Sequence, residues 1–467
     1  MTTPYSFDHS AFTADVRARF DHLSDSEESG ERVAVAGRVM LLRRQGKLAF
    51  ATMRDSTGEV QLFATAADTG DFEDFAKLHL GDWVGARGEV IRTKRGELSV
   101  RVESWVTLAP ARHNFGDKWA GIADYDLRYR HREADLWAND LSRQTLARRS
   151  EVARSLRERC WAAGFVEVET PILNAIPSGS DARPFATHHN ALDAEFYLRV
   201  APELWLKRLV VGGFERVFEV GRVFRNEGVS PRHNPEFTML ELYCAYWDYT
   251  DMMAFVEELV AGAVRDVLGT EELTYQGRAM SFAPPWPRKT MAELTSEAVG
   301  EEVSVRTPRS RLAALLAERG VDVHDAWGPG RCLAELFEES AESGLWDPTF
   351  VTEYPVEISP LARRHRSDDE LTERAEAFCA QRELANLFTE LTDPEDQRRR
   401  FEDQARLAAA GEPETMLLDE DYLRALEWGL PPTAGLGVGV DRLAMLVADE
   451  SNIREVIAFP TLKPLRS

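Results

Sequence analysis

Residues 214–249 read FERVFEVGRVFRNEGVSPRHNPEFTMLELYCAYWDY. Apolar and polar residues alternate with period two from Val217 to Arg225 and again from Phe237 to Tyr243, while GVSPRHNP between them is all turn chemistry. The pattern predicts an antiparallel hairpin with a long cationic tip. Parity puts Arg225 and Glu227 on one face, and Phe237, Met239, Glu241 and Tyr243 on one face of the returning strand. Arginine cannot lose its proton and takes phosphate oxygens in a fork, and Phe237 can stack on a base. With Arg232 and His233 at the tip, that set suits a nucleoside triphosphate. A charged edge hairpin is the plainer alternative. Against it, Arg225, Glu227 and Glu241 lie on faces that otherwise carry Phe, Met and Tyr.

Two further segments carry chemistry. In RAEAFCAQRELANLFTEL (374–391), Glu376 and Glu383 are seven apart, which one straight strand would place on opposite faces. A two-residue turn at Ala380–Gln381 sets Phe378 opposite Glu383, so both carboxylates reach one side, as Mg²⁺ bridging phosphates needs. A solvent-facing strand with counterions is the alternative. In TAGLGVGVDRLAML (433–446), Leu436, Val438 and Val440 alternate through glycines before Leu443, Leu446 and Val447 take helical spacing. Glycines let a backbone lie close to a ligand, and Arg442 falls in the first helical turn, where anions are favoured.

The rest of the chain frames these segments. Its 467 residues suggest about three domains at ~150 residues each, and 44% apolar content excludes wholly disordered structure. A net charge of −23 excludes general nucleic-acid glue, so any polynucleotide must use a local patch. Residues 31–108 are short alternating strands with Gly-containing turns, the texture of a five-stranded oligonucleotide-binding barrel. Four cations, Arg38, Arg43, Arg44 and Lys47, occur there with no acid between them, either as a solvated hairpin or as a nucleic-acid face. Residues 109–145 read as an irregular charged connection. Ala153, Leu156, Cys160 and Ala163 predict a helix ending at Gly164, and Val166 to Ile172 an edge strand interrupted by Pro171. Helical patterns run through 251–268 and 308–343, the second beyond the break FAPPWPRK. Cys160, Cys244, Cys332 and Cys379 are scattered, which argues against a zinc site or disulfide framework and fits a reducing compartment. The start, MTTPYSFDHSAF, has no signal-peptide pattern, and no run of 18 apolar residues occurs. The expectation is a cytoplasmic protein without a membrane span.

Together these segments resemble the three signature motifs of class II aminoacyl-tRNA synthetases, most closely the lysyl-tRNA synthetase family. GFVEVETPIL is similar to the first motif, with Pro171 at its dimer-forming end; FRNEG…RHNPEFTMLELY to the second; GLGVGVDR to the third. ARPFATHHNALD, YLRVAPELWLKRLVVGGFERVFEVGR and PVEISPLARR are similar segment by segment. The resemblance implies an α+β chain: an extension (1–30), an OB-fold anticodon-binding barrel (31–110), a linker (111–145), and a catalytic domain (146–467). The last is an antiparallel sheet flanked by helices, with a helical insertion at about 300–345.

It also implies roles. Arg225 would hold the α-phosphate and the amino-acid carboxylate, Glu227 read the adenine edge, Phe237 and Arg442 sandwich the ring, and His233 touch the outer phosphates. Glu376 and Glu383 would bind Mg²⁺. The Gly179 carbonyl and Glu203 would receive the α-ammonium, with Asn386 at the carboxylate; Glu241, Tyr243 and Glu390 would recognise the ε-ammonium, and Phe388 line the stem. On the barrel, Phe50, Gln61 and Glu97 match anticodon-reading positions. The implied activity is ATP-dependent activation of L-lysine and its transfer to tRNA(Lys), by a homodimer. Ser178, Ser180, Trp247, Gln381 and Leu387 depart from the family pattern, as does READL near the linker. They leave open a paralogue that adenylates lysine or a related amino acid for another acceptor. A catalytically silent RNA-binding protein is the third reading, disfavoured by the intact Arg225, Glu376, Glu383 and Arg442.

Overall fold

The computed structural model describes residues 3–113, 122–176, 179, 182–409 and 416–465, and these divide into two compact units meeting at 140/141.

The N-terminal unit is a closed five-stranded barrel of β1 (Glu28–Gln45), β2 (Leu48–Arg54), β3 (Glu59–Thr65), β4 (Trp83–Arg92) and β5 (Leu98–Ala109), ordered β1-β2-β3-β5-β4. All neighbours are antiparallel except β3 and β5. Alternation does its expected work. Ala49, Ala51 and Met53 of β2 and Val60, Leu62 and Ala64 of β3 are buried, while Phe50, Thr52, Gln61 and Phe63 lie on the outward face. At Gly88 the barrel closes tightly: a Cβ there would sit 1.9 Å from the Arg101 carbonyl oxygen.

One expectation for this unit is corrected. Residues 109–145 are not irregular throughout, because helices span Tyr125–Arg130 and Arg132–Ala138 and another begins at Asp140. Asp124 caps the first by accepting from the Leu127 N–H. Within the four-cation stretch, two of the cations have partners in the same unit. The Arg38 guanidinium lies over the Trp83 and Trp137 rings, and Arg44 forms a bidentate pair with Glu73.

The C-terminal unit is built on an eight-stranded sheet. Its strands are β6 (Val166–Glu167), β7 (Arg216–Phe224), β8 (Glu236–Ala245), β9 (Arg288–Thr290), β10 (Thr349–Thr352), β11 (Arg374–Phe378), β12 (Glu383–Thr389) and β13 (Thr433–Gly439), ordered β9-β10-β11-β12-β13-β8-β7-β6. Within this sheet, only the edge pairs β9–β10 and β7–β6 are parallel among the described strands. One face of the sheet packs on α1 (Tyr249–Leu268), where Leu240, Leu242, Leu387, Leu436 and Val438 meet Val256 and Val260 in one core. The helix is amphipathic, is capped by Asp248, and ends at Gly269 in the left-handed conformation.

The edge strand expected from Val166 to Ile172 is shorter. Only Val166 and Glu167 pair with β7, and Leu173–Asn174 joins a separate three-stranded sheet. Pro171 has no N–H to continue the ladder. The helical stretch at 308–343 is likewise two helices, Arg309–Ala317 and Pro329–Ser340, broken at Gly320 with φ +79°.

A Gly88→Ala substitution forces a methyl against a barrel carbonyl, and overpacking of this kind costs on the order of 1–3 kcal/mol. Thermal unfolding of the full chain should show a lowered transition for the N-terminal unit with the C-terminal transition unmoved; an unchanged melt would mean the barrel relaxes around the methyl.

Candidate active site

The site lies on the sheet face opposite α1. Strands β7 and β8 form the hairpin expected from sequence, with Val223 opposite Phe237, Gly221 opposite Met239 and Glu219 opposite Glu241. Arg225 and Glu227 come just after β7, in the tip. The Arg225 N–H donates to the Pro235 carbonyl (2.8 Å), and its guanidinium stands over the Phe237 ring at 5.3 Å. The buried Nε of Arg225 has no hydrogen-bond partner among the described residues, a donor left for an anion. Arg225, Glu227, His233, Phe237, Glu383 and Arg442 line one cleft of about 130 Å³. His233 is held below its ordinary value by burial and by the neighbouring Arg442 charge, so it is a neutral donor or acceptor at physiological pH.

Arg442 is aimed by its neighbours. It donates to the Glu383 carbonyl (2.7 Å) and to Glu383 Oε2 (3.1 Å). Beside it in sequence, buried Asp441 accepts from Arg149 Nε (2.9 Å) and from the Thr238 N–H (2.7 Å), tying the start of the last long helix to β8. Gly437 and Gly439 line the cleft, as the reading of a close-lying glycine-rich strand requires.

Glu376 and Glu383 face one cavity of about 660 Å³, shared with Arg232, His233, Arg374 and Arg442. The turn at Ala380–Gln381 has both residues at positive φ, +52° and +63°, and Phe378 does oppose Glu383. A one-residue bulge follows, since Ala377 opposes Ala385. Gln381 in the left-handed region costs on the order of 1 kcal/mol, and its amide donates to the Ser343 carbonyl (2.6 Å). Burial, opposed by Arg374 and reinforced by the Glu383 charge, raises Glu376 above the usual carboxylate range. Glu383 is lowered: burial disfavours its charge, but Arg442 and Arg225 outweigh it. Among the described residues no group of three or more His, Cys, Asp or Glu side chains is placed to hold a metal ion; these two carboxylates are a pair.

The residues expected to hold the amino acid gather beside the cleft. Gly179, with φ +95°, lies against Ala201 and Glu203: a Cβ there would be 3.7 Å from that of Glu203. Asn386 accepts from Arg374 Nε at 3.2 Å. Glu241, Tyr243 and Glu390 are buried, and Phe388 packs partly buried beside Tyr243. Burial first, then the Glu203 charge, pushes Glu241 up to about 8 against the pull of Arg225. A Cβ on Gly435 would strike Glu390 Oε1 at 2.0 Å and the Tyr243 ring at 2.5 Å, so glycine there keeps this pocket open.

Of the departures, Leu387 points to the opposite face and packs in the α1 core, and Trp247 packs on Phe165 and Phe255. Neither lines the pocket. Ser178 and Ser180 lie outside the described residues. Sequence reasoning missed Lys207, on the helix Glu203–Val211, whose fully buried ammonium donates to Glu203 (2.6 Å) and pairs with Glu390. The available signal was the four-residue spacing from Glu203. It also missed Arg374, which contacts both Glu376 and Asn386.

In the N-terminal unit, Phe50 stacks on Phe63 (centroids 5.1 Å apart, planes at 19°), and Gln61 donates to Ser99 Oγ at 2.8 Å. Both stand on the outward barrel face. Glu97 is exposed in the turn before β5.

A cleft of arginine, glutamate and phenylalanine on an antiparallel sheet, beside a pocket with buried carboxylates, is the arrangement expected of an adenylate-forming synthetase. Residues 124–463 match the family described as tRNA synthetases class II (D, K and N), and residues 33–108 that described as OB-fold nucleic acid binding domain; the chain belongs to the class II tRNA synthetases. It is 50% identical over 466 residues to the lysine–tRNA ligase of Synechococcus sp. (strain RCC307), covering 99% of this chain and 93% of that one. It is 47% identical over 463 residues to that of Moorella thermoacetica (99% and 93%), and 48% over 467 residues to that of Pectobacterium atrosepticum (99% and 92%).

Proposed function

We propose that this chain activates L-lysine with ATP to lysyl-adenylate and transfers the lysyl group to the 3′ end of tRNA(Lys). The observation that carries the reading is the pocket of Glu203, Glu241, Glu390 and Tyr243 directly beside the Arg225 cleft, with more buried carboxylates than resident cations. An amino acid with an ammonium at each end neutralises such a pocket, whereas an apolar analogue leaves charges unpaired. The near full-length identity to lysine–tRNA ligases favours this over a paralogue serving a small acceptor.

In the first step the lysine carboxylate attacks the α-phosphorus of ATP in line, and pyrophosphate leaves. No general base is needed, because a carboxylate is already nucleophilic. Arg225, with its free buried donor, takes the α-phosphate and the lysine carboxylate; Phe237 and Arg442 hold the adenine between them, Glu227 reads its edge, and His233 meets the outer phosphates. Gly179 and Glu203 receive the α-ammonium, Asn386 lies at the carboxylate, and Glu241, Tyr243 and Glu390 take the ε-ammonium along the stem contact of Phe388. In the second step the terminal ribose hydroxyl of tRNA attacks the acyl carbon and AMP leaves. Catalysis is positioning and charge neutralisation.

Glu376 and Glu383 would hold Mg²⁺. Their fit rests on two carboxylates facing one cavity, where burial, with the Glu383 charge added, raises Glu376 and a divalent cation would favour its charged form. That ion would supply neutralisation of phosphate charge. On the barrel, Phe50, Gln61 and Glu97 would read the anticodon by stacking and base-edge hydrogen bonds. A homodimer is supported by the exposed apolar side chains Trp161, Val166, Ile172 and Leu173 around Pro171. Four buried free thiols suit the cytoplasm, and no described helix is long and apolar enough to cross a membrane.

Arg225→Ala should lower lysine-dependent ATP–pyrophosphate exchange by about 10²- to 10³-fold or more while the protein stays folded; near-normal exchange would remove Arg225 from the reaction. Phe50→Ala should raise the tRNA KM for aminoacylation by roughly 5- to 100-fold and leave exchange intact, the range expected for loss of one stacked base. Equal loss of both activities would instead indicate a folding defect.

A further inference from the structure

Lys207 lies deeper than any other lysine described, with none of its surface exposed. Its ammonium contacts acids on two elements, Glu203 of its own helix and Glu390 at the end of β12. Three rings enclose it: Phe388 at 5.4 Å, Tyr243 at 5.9 Å and Tyr422 at 6.0 Å. Burial works against this ammonium, but Glu203 and Glu390 outweigh it and keep it protonated. A cation between two carboxylates in an aromatic cage is also what recognition of a lysine side chain calls for. The pocket thus contains one lysine of its own before any guest arrives.

The surrounding charges say what that lysine does. Glu203, Glu241 and Glu390 are three carboxylates, with Glu219 and Arg199 paired behind Glu241 and Arg225 at the mouth. One ammonium does not neutralise three carboxylates, and burial, reinforced by the Glu203 charge, drives the acid outside those two contacts, Glu241, up to about 8. Glu390 Oε1 accepts no hydrogen bond among the described residues. Lys207 therefore satisfies part of the acidic set and leaves part for a guest.

We propose that Lys207 is a resident counter-cation of the amino-acid pocket, a positioning residue that holds Glu203 and Glu390 in place and favours the charged form of Glu390, so that an entering ammonium meets a carboxylate rather than a carboxylic acid. It is not a plug that the guest displaces. Its helix and the rings of Tyr243, Phe388 and Tyr422 enclose it, and none of its surface is exposed. This inference rests on lysine being the amino acid activated.

The test is Lys207→Met in lysine-dependent ATP–pyrophosphate exchange from pH 6 to 9. Without the resident charge, the acids carry protons that each bound lysine must expel. The lysine KM should rise roughly tenfold or more at pH 7, with the gap closing as pH increases, a tenfold change per unit for each extra proton released. The ATP KM should stay within about twofold, and Lys207→Arg, which keeps the charge, should retain the wild-type pH slope. A rise in lysine KM that is flat with pH, or equal rises in both KM values, or no change, would overturn the proposal. Should Lys207→Met fail to fold, amine acetylation of the unaltered protein with peptide mapping decides. Lys207 should stay unlabelled with and without lysine, and labelling that appears on adding lysine would make it a displaceable plug. Failure of the unaltered protein to exchange with lysine would count against the function; a normal wild type beside a pH-flat Lys207→Met counts against Lys207.

Discussion

The charge balance of one dry pocket governs the chemistry of the C-terminal unit. Glu203 and Glu390 hold a single fully buried ammonium, with Glu241 near Glu203 and the Arg225 cleft beside them. A buried carboxylate without a counter-charge is expensive, and it answers by taking a proton. Burial and then the Glu203 charge accordingly push Glu241 up to about 8. On the proposed function, a guest bearing two ammonium groups would supply what the protein withholds, and the pocket would select through an unfavourable empty state as much as through new contacts.

The sheet makes this arrangement possible. Strands β8, β12 and β13 lie adjacent at its centre, so that Glu241 and Asn386 each stand opposite Gly437, and Tyr243 and Phe388 opposite Gly435. Glycine at these two positions leaves room for side chains and guest from both flanking strands. The opposite parity, Leu240, Leu242, Leu387 and Leu436, fills the core against α1. One strand register thus divides a rigid apolar face from a charged one, and the Asp441–Arg149–Thr238 contacts hold Arg442 against the same frame.

Much of this was legible in the chain because period-two patterns and turn lengths set register without help from elsewhere. The β7–β8 hairpin and the convergence of Glu376 with Glu383 both followed from counting residues across a turn. The bulge after Glu383 did not, since nothing in RELAN marks which residue leaves the ladder. The span of β6 was misread because Val168, Thr170 and Ile172 keep strand alternation while the chain turns away to another sheet. Arg38 read as part of a cationic face, yet its partners Trp83 and Trp137 are distant in sequence. Lys207 was hidden for the same reason. A Glu–Lys pair four apart reads as an exposed helix salt bridge, and the burial that gives it meaning comes from Glu390, Phe388 and Tyr422, far along the chain.

The most direct measurement is the proton count on lysine binding, from titration calorimetry at pH 7 in buffers of differing ionisation enthalpy. A pocket whose surplus acids are protonated when empty must release about one proton or more per lysine bound, since Glu241 at about 8 is mostly protonated at pH 7 and the guest favours its charged form. Glu241→Gln, which has no proton to lose, should reduce that release by about one. Binding heats identical in every buffer, or a release unchanged in Glu241→Gln, would contradict the claim that uncompensated buried acid selects the guest.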